Sequence, residues 1–320
     1  LNVLLRAMTQ AENDMNSVER LVSYSTELPQ EAAYRANGNG SDVVQPPQEW
    51  PVKGSIEFNN VSMAYREGLP LVLKNLSFSI NDGEKIALVG RTGCGKSSTV
   101  LTLFRLVELS SGNITIDGQD ISKLGLYDLR RKLTIIPQDP VLFKRSIRRN
   151  LDPFGDYTDD KLWEALVNSG AIERSLLEEV KGQVVSKDEK ENDGIHKFHL
   201  DQMVQEDGIN YSNGERQVLA LTRAVVAKSK ILVLDEATSS VDYETDAKIQ
   251  SRISTEFKNS TVITIAHRLN TILSYDKIMV LEKGEIAEFD EPLKLFKQEG
   301  SIFREMCEKA AITEADFQSN

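Results

Sequence analysis

The sequence predicts an α/β fold with a parallel sheet, because apolar strands alternate with helices along much of its length. A strand over residues 84–90 runs through a glycine-rich stretch into a helix that extends to about residue 109. Two further apolar strands, at 230–234 and 261–265, each follow a helical segment. Short, continuous apolar runs of this kind are typical of strands that are covered on both faces.

The glycine-rich stretch has the spacing of a phosphate-binding loop, G-x-x-x-x-G-K-[ST], at Gly90, Gly95, Lys96 and Ser97. Its glycines let successive backbone N–H groups point inward at phosphate oxygens, at the positive end of a helix dipole. Lys96 supplies a positive charge for the outer phosphates, and the Ser97 hydroxyl is placed to bind Mg²⁺. The loop therefore predicts a bound nucleoside triphosphate, with a chance glycine-rich turn as the alternative.

A second apolar strand, 231–236, ends in two adjacent carboxylates, Asp235 and Glu236. Beside a phosphate loop, the first carboxylate is expected near Mg²⁺ through a water molecule. The second is expected to activate the attacking water as a general base. Such a pair is weak evidence alone, and its place downstream of a phosphate loop strengthens it.

Composition limits the class of protein. The 320 residues are 40% hydrophobic, which is enough for one or two domains with a full core. The net charge of −11 argues against nucleic acid as a partner, since there is no excess of Lys and Arg. Because the chain begins with Leu and has no apolar run of membrane-spanning length, we expect it to be a piece of a longer protein.

Residues 1–28 are predicted to form one long amphipathic helix. Its apolar residues recur at alternating spacings of three and four, as in a coiled coil: Leu1, Leu4, Met8, Ala11, Met15, Val18 and Val22. The helix either packs on the core of this chain or belongs with partners outside it. We favour the second interpretation, because residues 36–53 then follow as a predicted flexible linker.

The remaining elements follow from shorter patterns. Strands are predicted at 55–65, 72–80, 113–116 and 133–136, and helices at 126–132, 146–150, 158–169 and 292–317. Residues 181–194 are highly charged and lack periodicity, which indicates a mobile insertion.

These motifs resemble, in order, those of ATP-binding cassette (ABC) ATPase domains over about residues 55–305. Gln138, the segments 211–217 and 234–242, and the pair 266–267 follow the phosphate loop. The resemblance implies a P-loop NTPase core with an antiparallel β subdomain and an inserted α-helical subdomain, preceded by an isolated long helix. The implied boundaries are 54–320 for the ATPase domain, 139–225 for its helical subdomain and 181–200 for a polar insertion.

The resemblance also implies roles for single residues, with ATP and Mg²⁺ as the cofactors. Tyr65 would stack on adenine, His267 would contact the γ-phosphate, and Asp242 would lie in a loop that meets an opposing ATPase domain. The implied catalytic residues are Glu236, His267, Gln138 and Lys96, and the implied metal ligands are Ser97, Gln138 and Asp235. The implied ATP contacts are Tyr65, Gly90, Arg91, Thr92, Gly93, Cys94, Gly95, Lys96, Ser97, Ser98, Ser212, Gly214 and Asp242. By pattern alone, an exposed Tyr or a lone His is more often an ordinary surface or core residue.

The segment 211–215 departs from the family's Leu-Ser-Gly-Gly-Gln signature. Ser212 and Gly214 remain, so a hydroxyl and a backbone N–H still face a phosphate at a helix N-terminus. Asn213 adds a side chain where glycine permits close approach, and Glu215 adds a negative charge. In ABC dimers each ATP lies between one domain's phosphate loop and the other's signature. The chain is therefore expected to offer an intact phosphate-loop half-site and a compromised signature.

This asymmetry resembles the second nucleotide-binding domain of the C-subfamily, the multidrug-resistance-associated transporters. Residues 9–20 and 196–201 resemble fungal oligomycin-resistance transporters. The implied partners are the first nucleotide-binding domain and the transmembrane domains of the same transporter, with residues 1–35 as the cytoplasmic end of the last transmembrane helix. The transported small molecule would bind elsewhere, and the implied location is the cytosolic face of the plasma membrane or, alternatively, of the vacuolar membrane.

The predicted function is ATP hydrolysis that powers the export of xenobiotics or organic anions. One alternative is a regulatory nucleotide-binding domain that gates a channel or partner, against which Glu236 and His267 argue. Another is a soluble ABC ATPase of DNA repair or translation, whose large insertions have no room between Lys96 and Ser212. The basic run 144–149 is either a solvated helix face or a region that receives the membrane domains, and both interpretations stay open.

Overall fold

The computed structural model describes residues 2–28, 30–35, 43–185, 194–235, 243–266 and 268–317. The strands are β1 Ile56–Met63, β2 Leu73–Ile80, β3 Lys85–Val89, β4 Ser111–Ile116, β5 Gln119–Asp120, β6 Leu133–Ile136, β7 Ile231–Asp235, β8 Thr261–Ile265, β9 Lys277–Glu282 and β10 Glu285–Asp290. The helices are α1 Asn2–Thr26, α2 Lys96–Leu103, α3 Leu126–Arg130, α4 Ile147–Leu151, α5 Asp159–Asn168, α6 Leu177–Lys181, α7 Asn213–Ala227, α8 Tyr243–Glu256, α9 Pro292–Lys297 and α10 Ile302–Lys309. Short 3-10 turns occur at Ile121–Lys123, Arg174–Leu176, Glu206–Gly208, Leu269–Ile272 and Glu314–Phe317.

The larger sheet is mainly parallel, with strand order β10-β9-β3-β8-β7-β6. Strands β9, β3, β8, β7 and β6 run in the same direction, and β10 pairs antiparallel with β9. The carboxyl ends of parallel strands meet at one edge of a sheet, where α/β proteins commonly bind ligands. The phosphate loop follows β3, Gln138 follows β6, and Asp235 is the last residue of β7.

The smaller sheet is antiparallel, with strand order β2-β1-β4-β5. It shares a core with the larger sheet, in which Phe58 and Leu73 pack together with Ile86 and Ile263. Trp50 is also buried there, at 4% exposure, and its Nε1 donates to the Ile116 carbonyl oxygen at 3.0 Å. The packed body therefore begins before residue 54, where the sequence predicts the boundary.

Helices α4 to α7 form a helical unit on the β6 side of the larger sheet. Leu166 of α5 and Leu221 of α7 share a core with Ile136 and Leu234 of the sheet. Phe198, Leu200 and Val204 lie in the same core. The C-terminal part of the predicted insertion is thus integrated into the helical unit, while residues 186–193 lie outside the described residues.

Helix α1 stands apart from this body, because none of its side chains is buried. Leu4 and Met15 of its apolar seam are 64% and 65% exposed. The two sheets, the helical unit and the separate helix α1 confirm the predicted fold class, an α/β core with an antiparallel subdomain, a helical subdomain and a preceding long helix. Among the described residues, no helix combines the length and the apolar character needed to cross a membrane.

The segment that follows α1 does contact the body, at α3. Glu31 forms an ion pair with Arg130 at 2.8 Å, and the Ala33 and Tyr34 carbonyl oxygens accept the backbone N–H groups of Leu126 and Tyr127. Residues 31–34 are therefore anchored at the start of α3.

The hairpin of β9 and β10 is absent from the sequence-based prediction, and it supports the glycine loop. Its turn residue Gly284 donates its N–H to the Cys94 carbonyl oxygen at 3.0 Å and accepts from the Lys74 N–H at 2.8 Å. One residue therefore joins the glycine loop to strand β2 of the smaller sheet.

Replacing Gly284 with alanine is expected to destabilise the fold by about 3 kcal/mol. Gly284 has a φ of +85°, and an added Cβ would lie 2.1 Å from the Val72 carbonyl oxygen. Gly83 has a φ of +70° with no atom within 4 Å of an added Cβ, so Gly83→Ala is a matched control that keeps the strain and lacks the clash. Gly83→Ala should lower the free energy of unfolding by about 1 kcal/mol, the cost of a left-handed backbone conformation for alanine. Urea unfolding of both variants measures the difference, and equal losses would show that the contact with Val72 is unimportant.

Candidate functional site

The loop between β3 and α2 curls because three of its glycines have a positive φ, Gly90 at +144°, Gly93 at +80° and Gly95 at +110°. Gly90 also lies against β9, where an added Cβ would be 2.4 Å from the Leu281 carbonyl oxygen. An added Cβ on Gly95 would be 2.8 Å from Leu73. The backbone conformation therefore favours glycine at both positions, and the close approach to a backbone oxygen adds a second requirement at Gly90.

Lys96 begins α2, and its side chain folds back over the loop. The residue is 8% exposed, and its Nζ donates to the Gly90 carbonyl oxygen at 2.8 Å and the Arg91 carbonyl oxygen at 3.2 Å. An ammonium group has three donors, so these two bonds hold the positive charge at the loop. A phosphate group in the loop would meet that charge.

Tyr65 lies beside the first turn of α2, and its predicted role in stacking on adenine stays a prediction. Its hydroxyl is 2.8 Å from the Ser98 Oγ in the first turn of α2, and the residue is 48% exposed. Ser98 itself is buried, whereas Ser97 is exposed. The structure thus places the half-exposed Tyr65 and the exposed Ser97 at the end of α2 that begins with Lys96.

Gln138 follows β6, and Asp235 is the last residue of the neighbouring parallel strand β7. Ile136 of β6 pairs with Leu234 of β7, so the two side chains come after the same point in the sheet. Gln138 is exposed and Asp235 is half-buried. Glu236, Asp242 and His267 lie outside the described residues, and their roles stay predictions.

Ser212 is the N-cap of α7, and it forms a capping box with Glu215. The Ser212 Oγ accepts the Glu215 N–H at 3.3 Å, and the Glu215 carboxylate accepts the Ser212 N–H at 2.7 Å. This arrangement satisfies two backbone donors at the helix start. Among the described residues, the hydrogen bonds of Ser212 are made within α7 and its cap, to Glu215 and Arg216.

The negative charge that the sequence places at Glu215 has a partner that sequence reasoning did not single out. The Lys197 Nζ lies 2.8 Å and 2.7 Å from the two carboxylate oxygens. Burial raises the pKa of Glu215, but the bonds from Lys197 and Ser212 outweigh it and lower the pKa overall. Burial, and secondly the Glu215 charge, raises the pKa of the neighbouring Tyr211 hydroxyl.

Gln217 is a second residue that sequence reasoning missed. It is 2% exposed, and its Nε2 donates to the carbonyl oxygens of Gln138 at 2.7 Å and Pro137 at 3.2 Å. The signal available in the sequence is an amide side chain on the mainly apolar buried face of α7. Gln217 ties the first turns of α7 to the segment that carries Gln138.

A glycine loop between a parallel strand and a helix, with a lysine over the loop and an antiparallel sheet beside it, defines a P-loop nucleotide-binding domain. A sequence profile described as ABC transporter matches residues 73–239, just over half of the chain. The chain belongs to the ABC transporter family. Membership confirms the predicted enzyme class, an ABC-type ATPase, and implies ATP as the bound nucleotide.

Relatives place the chain within this family. It is 62% identical over 320 residues to the oligomycin resistance ATP-dependent permease of Saccharomyces cerevisiae. This alignment covers 100% of this chain and 21% of the permease. It is 46% identical over 312 residues to the metal resistance protein of the same yeast, and 45% over 312 residues to ATP-binding cassette sub-family C member 3 of Homo sapiens. Each of these two alignments covers 98% of this chain and 19% of the relative. The predicted resemblance to the C-subfamily and to fungal oligomycin-resistance transporters is confirmed, and the chain spans about a fifth of these relatives' length.

Among solved structures, a bacterial Atm1-family ABC exporter with ATP bound matches with a TM-score of 0.74 and 30% sequence identity. The match covers 96% of this chain and 49% of that chain. The overall arrangement of sheets and helices is therefore that of an ABC exporter's ATPase domain.

Proposed function

We propose that this chain is the second nucleotide-binding domain of a C-subfamily exporter and that it binds and hydrolyses ATP to drive transport. The observation that carries the proposal is the loop closed by Lys96 over the Gly90 and Arg91 carbonyl oxygens. The loop follows β3 at the same edge of the sheet where β6, which precedes Gln138, and β7, which ends at Asp235, also end.

In the proposed site, the triphosphate lies along the backbone N–H groups of the loop, and Lys96 turns from the loop carbonyls to the outer phosphates. The half-exposed ring of Tyr65 stacks on adenine. Ser97, Gln138 and Asp235 present oxygen atoms at one edge, which is the donor type that Mg²⁺ prefers. When bound, the ion supplies positive charge to the β- and γ-phosphates.

Hydrolysis in this proposal depends on Glu236, which follows the last residue of β7. Its carboxylate takes a proton from water as the water oxygen bonds to the γ-phosphorus, while the bond to the β–γ bridging oxygen breaks and ADP departs. His267 contacts the γ-phosphate and holds it for in-line attack. Gln138 orients the same water.

The proposed catalytic unit needs a second domain. The ATP held by this chain would be closed by a partner's signature, and Ser212 and Gly214 of this chain would face the ATP of that partner. The capping box places the Ser212 hydroxyl at the start of α7, where a helix dipole favours an anion. Asp242 would contribute to the loop that meets the opposing domain.

The helical unit supplies a surface for the proposed membrane domains. Val141, Phe143, Met203 and Ile209 are exposed by 62%, 60%, 45% and 72%. Val141 and Phe143 directly precede the basic run 144–149, and the bridge between Ser146 and Met203 places Met203 beside it. Gly208, the neighbour of Ile209, packs against Leu142. This apolar patch favours the interpretation in which the run receives membrane-domain helices, because exposed apolar patches are typical of interaction sites.

Transport itself is proposed by analogy with the relatives, whose names refer to oligomycin and metal resistance. Helix α1, with its unpartnered apolar seam, would be the cytoplasmic end of the last transmembrane helix. The substrate, a xenobiotic or organic anion, would bind in the membrane domains. The plasma membrane is the proposed location, with the vacuolar membrane as the alternative.

The isolated chain is expected to bind Mg-ATP with a defined stoichiometry of one and to hydrolyse it much more slowly than the full-length protein does. The physical reason is that the monomer lacks an opposing signature. Calorimetric titration with ATP and phosphate release at saturating ATP measure the two quantities. Turnover by the monomer at the full-length rate would contradict the composite site, and nucleotide binding without hydrolysis in the full-length protein would indicate the regulatory alternative.

A further inference from the structure

Lys197 contacts the signature segment in three ways. Its ammonium group pairs with both carboxylate oxygens of Glu215. Its carbonyl oxygen accepts the Tyr211 hydroxyl at 2.8 Å, and its Nζ lies 5.1 Å from the centre of the Tyr211 ring. A backbone bond and a side-chain bond together therefore fix Lys197 against the start of α7.

The same Glu215 oxygen serves both Lys197 and the helix cap. Its Oε2 accepts the Ser212 N–H at 2.7 Å and lies 2.7 Å from the Lys197 Nζ. The carboxylate is thus directly beside the residue whose hydroxyl would face a phosphate. Without a cation, its charge would repel an approaching triphosphate by Coulomb interaction over a few ångströms.

Arg216 does not take over this task in the described contacts. Its Nε donates to the Tyr211 carbonyl oxygen at 3.2 Å. Among the described residues, Lys197 is the cation that forms an ion pair with Glu215.

We propose that Lys197 is a positioning residue that compensates the charge of Glu215, so that Ser212 and Gly214 can face the γ-phosphate of an ATP held by the opposing domain. The inference rests on the proposed function, because it requires that the signature meets a nucleotide. In the altered signature, Glu215 caps the helix and Lys197 balances its negative charge. The pair is then neutral, as a glutamine at that position would be.

A purely structural role for the pair is weaker on physical grounds. The Lys197 and Glu215 side chains are 44% and 30% exposed. Partly exposed ion pairs add little to folding stability, so the loss of Lys197 should leave the fold intact. The effect should instead be seen where an anion comes close.

The test measures the Mg-ATP concentration that gives half-maximal cross-linking between the two nucleotide-binding domains of the full-length protein. Lys197→Gln should raise that concentration about fivefold. Lys197→Arg should match the wild type, because it keeps the charge. The double variant with Lys197→Gln and Glu215→Gln should also match the wild type, because neither charge remains.

Lys294 provides a matched control, since it pairs with Glu291 at 2.8 Å on an exposed helix end. Lys294→Gln should leave the half-maximal concentration unchanged. The inference is overturned if Lys197→Gln behaves as the wild type or if the double variant is no better than the single one. Failure of the wild-type protein to bind ATP at all would overturn the proposed function instead, and a direct binding measurement separates the two results.

Discussion

Lys96→Met should lower the affinity of the chain for Mg-ATP by about 100-fold, since a charge-assisted bond to phosphate is among the strongest single contacts in such a site. Methionine keeps the length and the apolar stem of the side chain, which is 8% exposed. What is lost is the ammonium group that now donates to the Gly90 and Arg91 carbonyl oxygens. Equilibrium binding of ATP by calorimetry measures the change.

The prediction needs a control for the loss of a lysine that binds backbone carbonyls. Lys132 donates to the Gln48 carbonyl oxygen at 3.3 Å, away from the loop. Lys132→Met should leave ATP affinity unchanged. The role of Lys96 would be refuted by a Lys96→Met protein that unfolds like the wild type and still binds ATP with the same affinity.

The loop and the sheet edge were predictable because both depend on local signals. The spacing of Gly90, Gly95 and Lys96 defines the loop, and the strands at 230–234 and 261–265 are continuous apolar runs. Strand β8 was predicted with its bounds as observed, and β7 within one residue. Alternation of strands and helices was enough to predict a parallel sheet.

Helix α2 shows how a tertiary contact ends an element that periodicity would extend. The sequence predicts helix to about residue 109, yet α2 ends at Leu103. Arg105 has a left-handed φ of +50°, and its buried guanidinium donates to the Ile121 and Leu124 carbonyl oxygens. These acceptors are distant in sequence, so no local pattern indicates where the helix stops.

The Lys197–Glu215 pair was missed for a similar reason. The sequence-based prediction placed Lys197 in the polar insertion 181–200 and Glu215 in a degenerate signature. Phe198 and Leu200, on either side of His199, are buried in the helical core and carry Lys197 to the start of α7. Two alternating apolar residues in a charged stretch were the available signal, and they are too few to predict packing.

The hairpin β9–β10 completes the support of the glycine loop. Leu281 approaches Gly90 so closely that only glycine fits, and Gly284 bonds to Cys94. The loop geometry therefore depends on residues nearly two hundred positions away in the chain. The glycine spacing identifies the loop, and its contacts with the distant hairpin support its shape.

Glu236→Gln should reduce the rate of ATP hydrolysis by the full-length protein by about 1,000-fold, because general base catalysis contributes about 100- to 10,000-fold. Glutamine has nearly the same size as glutamate and cannot accept the proton of the attacking water. ATP affinity should not fall, since Lys96 and the loop N–H groups, which would hold the phosphates, are unchanged. Phosphate release and equilibrium ATP binding, measured on the same preparation, test both parts.

Glu282 is a suitable control because it is the last residue of β9, the parallel strand next to β3, and lines the same cavity as Gly90 and Gly93 of the glycine loop. Glu282→Gln should hydrolyse ATP at the wild-type rate, which would show that the loss at Glu236 is not a general effect of removing a carboxylate near the loop. If Glu236→Gln instead kept the wild-type rate, the general base would have to be another residue, or nucleotide binding would regulate the protein without driving it. Loss of hydrolysis together with loss of binding would point to a damaged site, because the proposed base acts on water and not on ATP affinity.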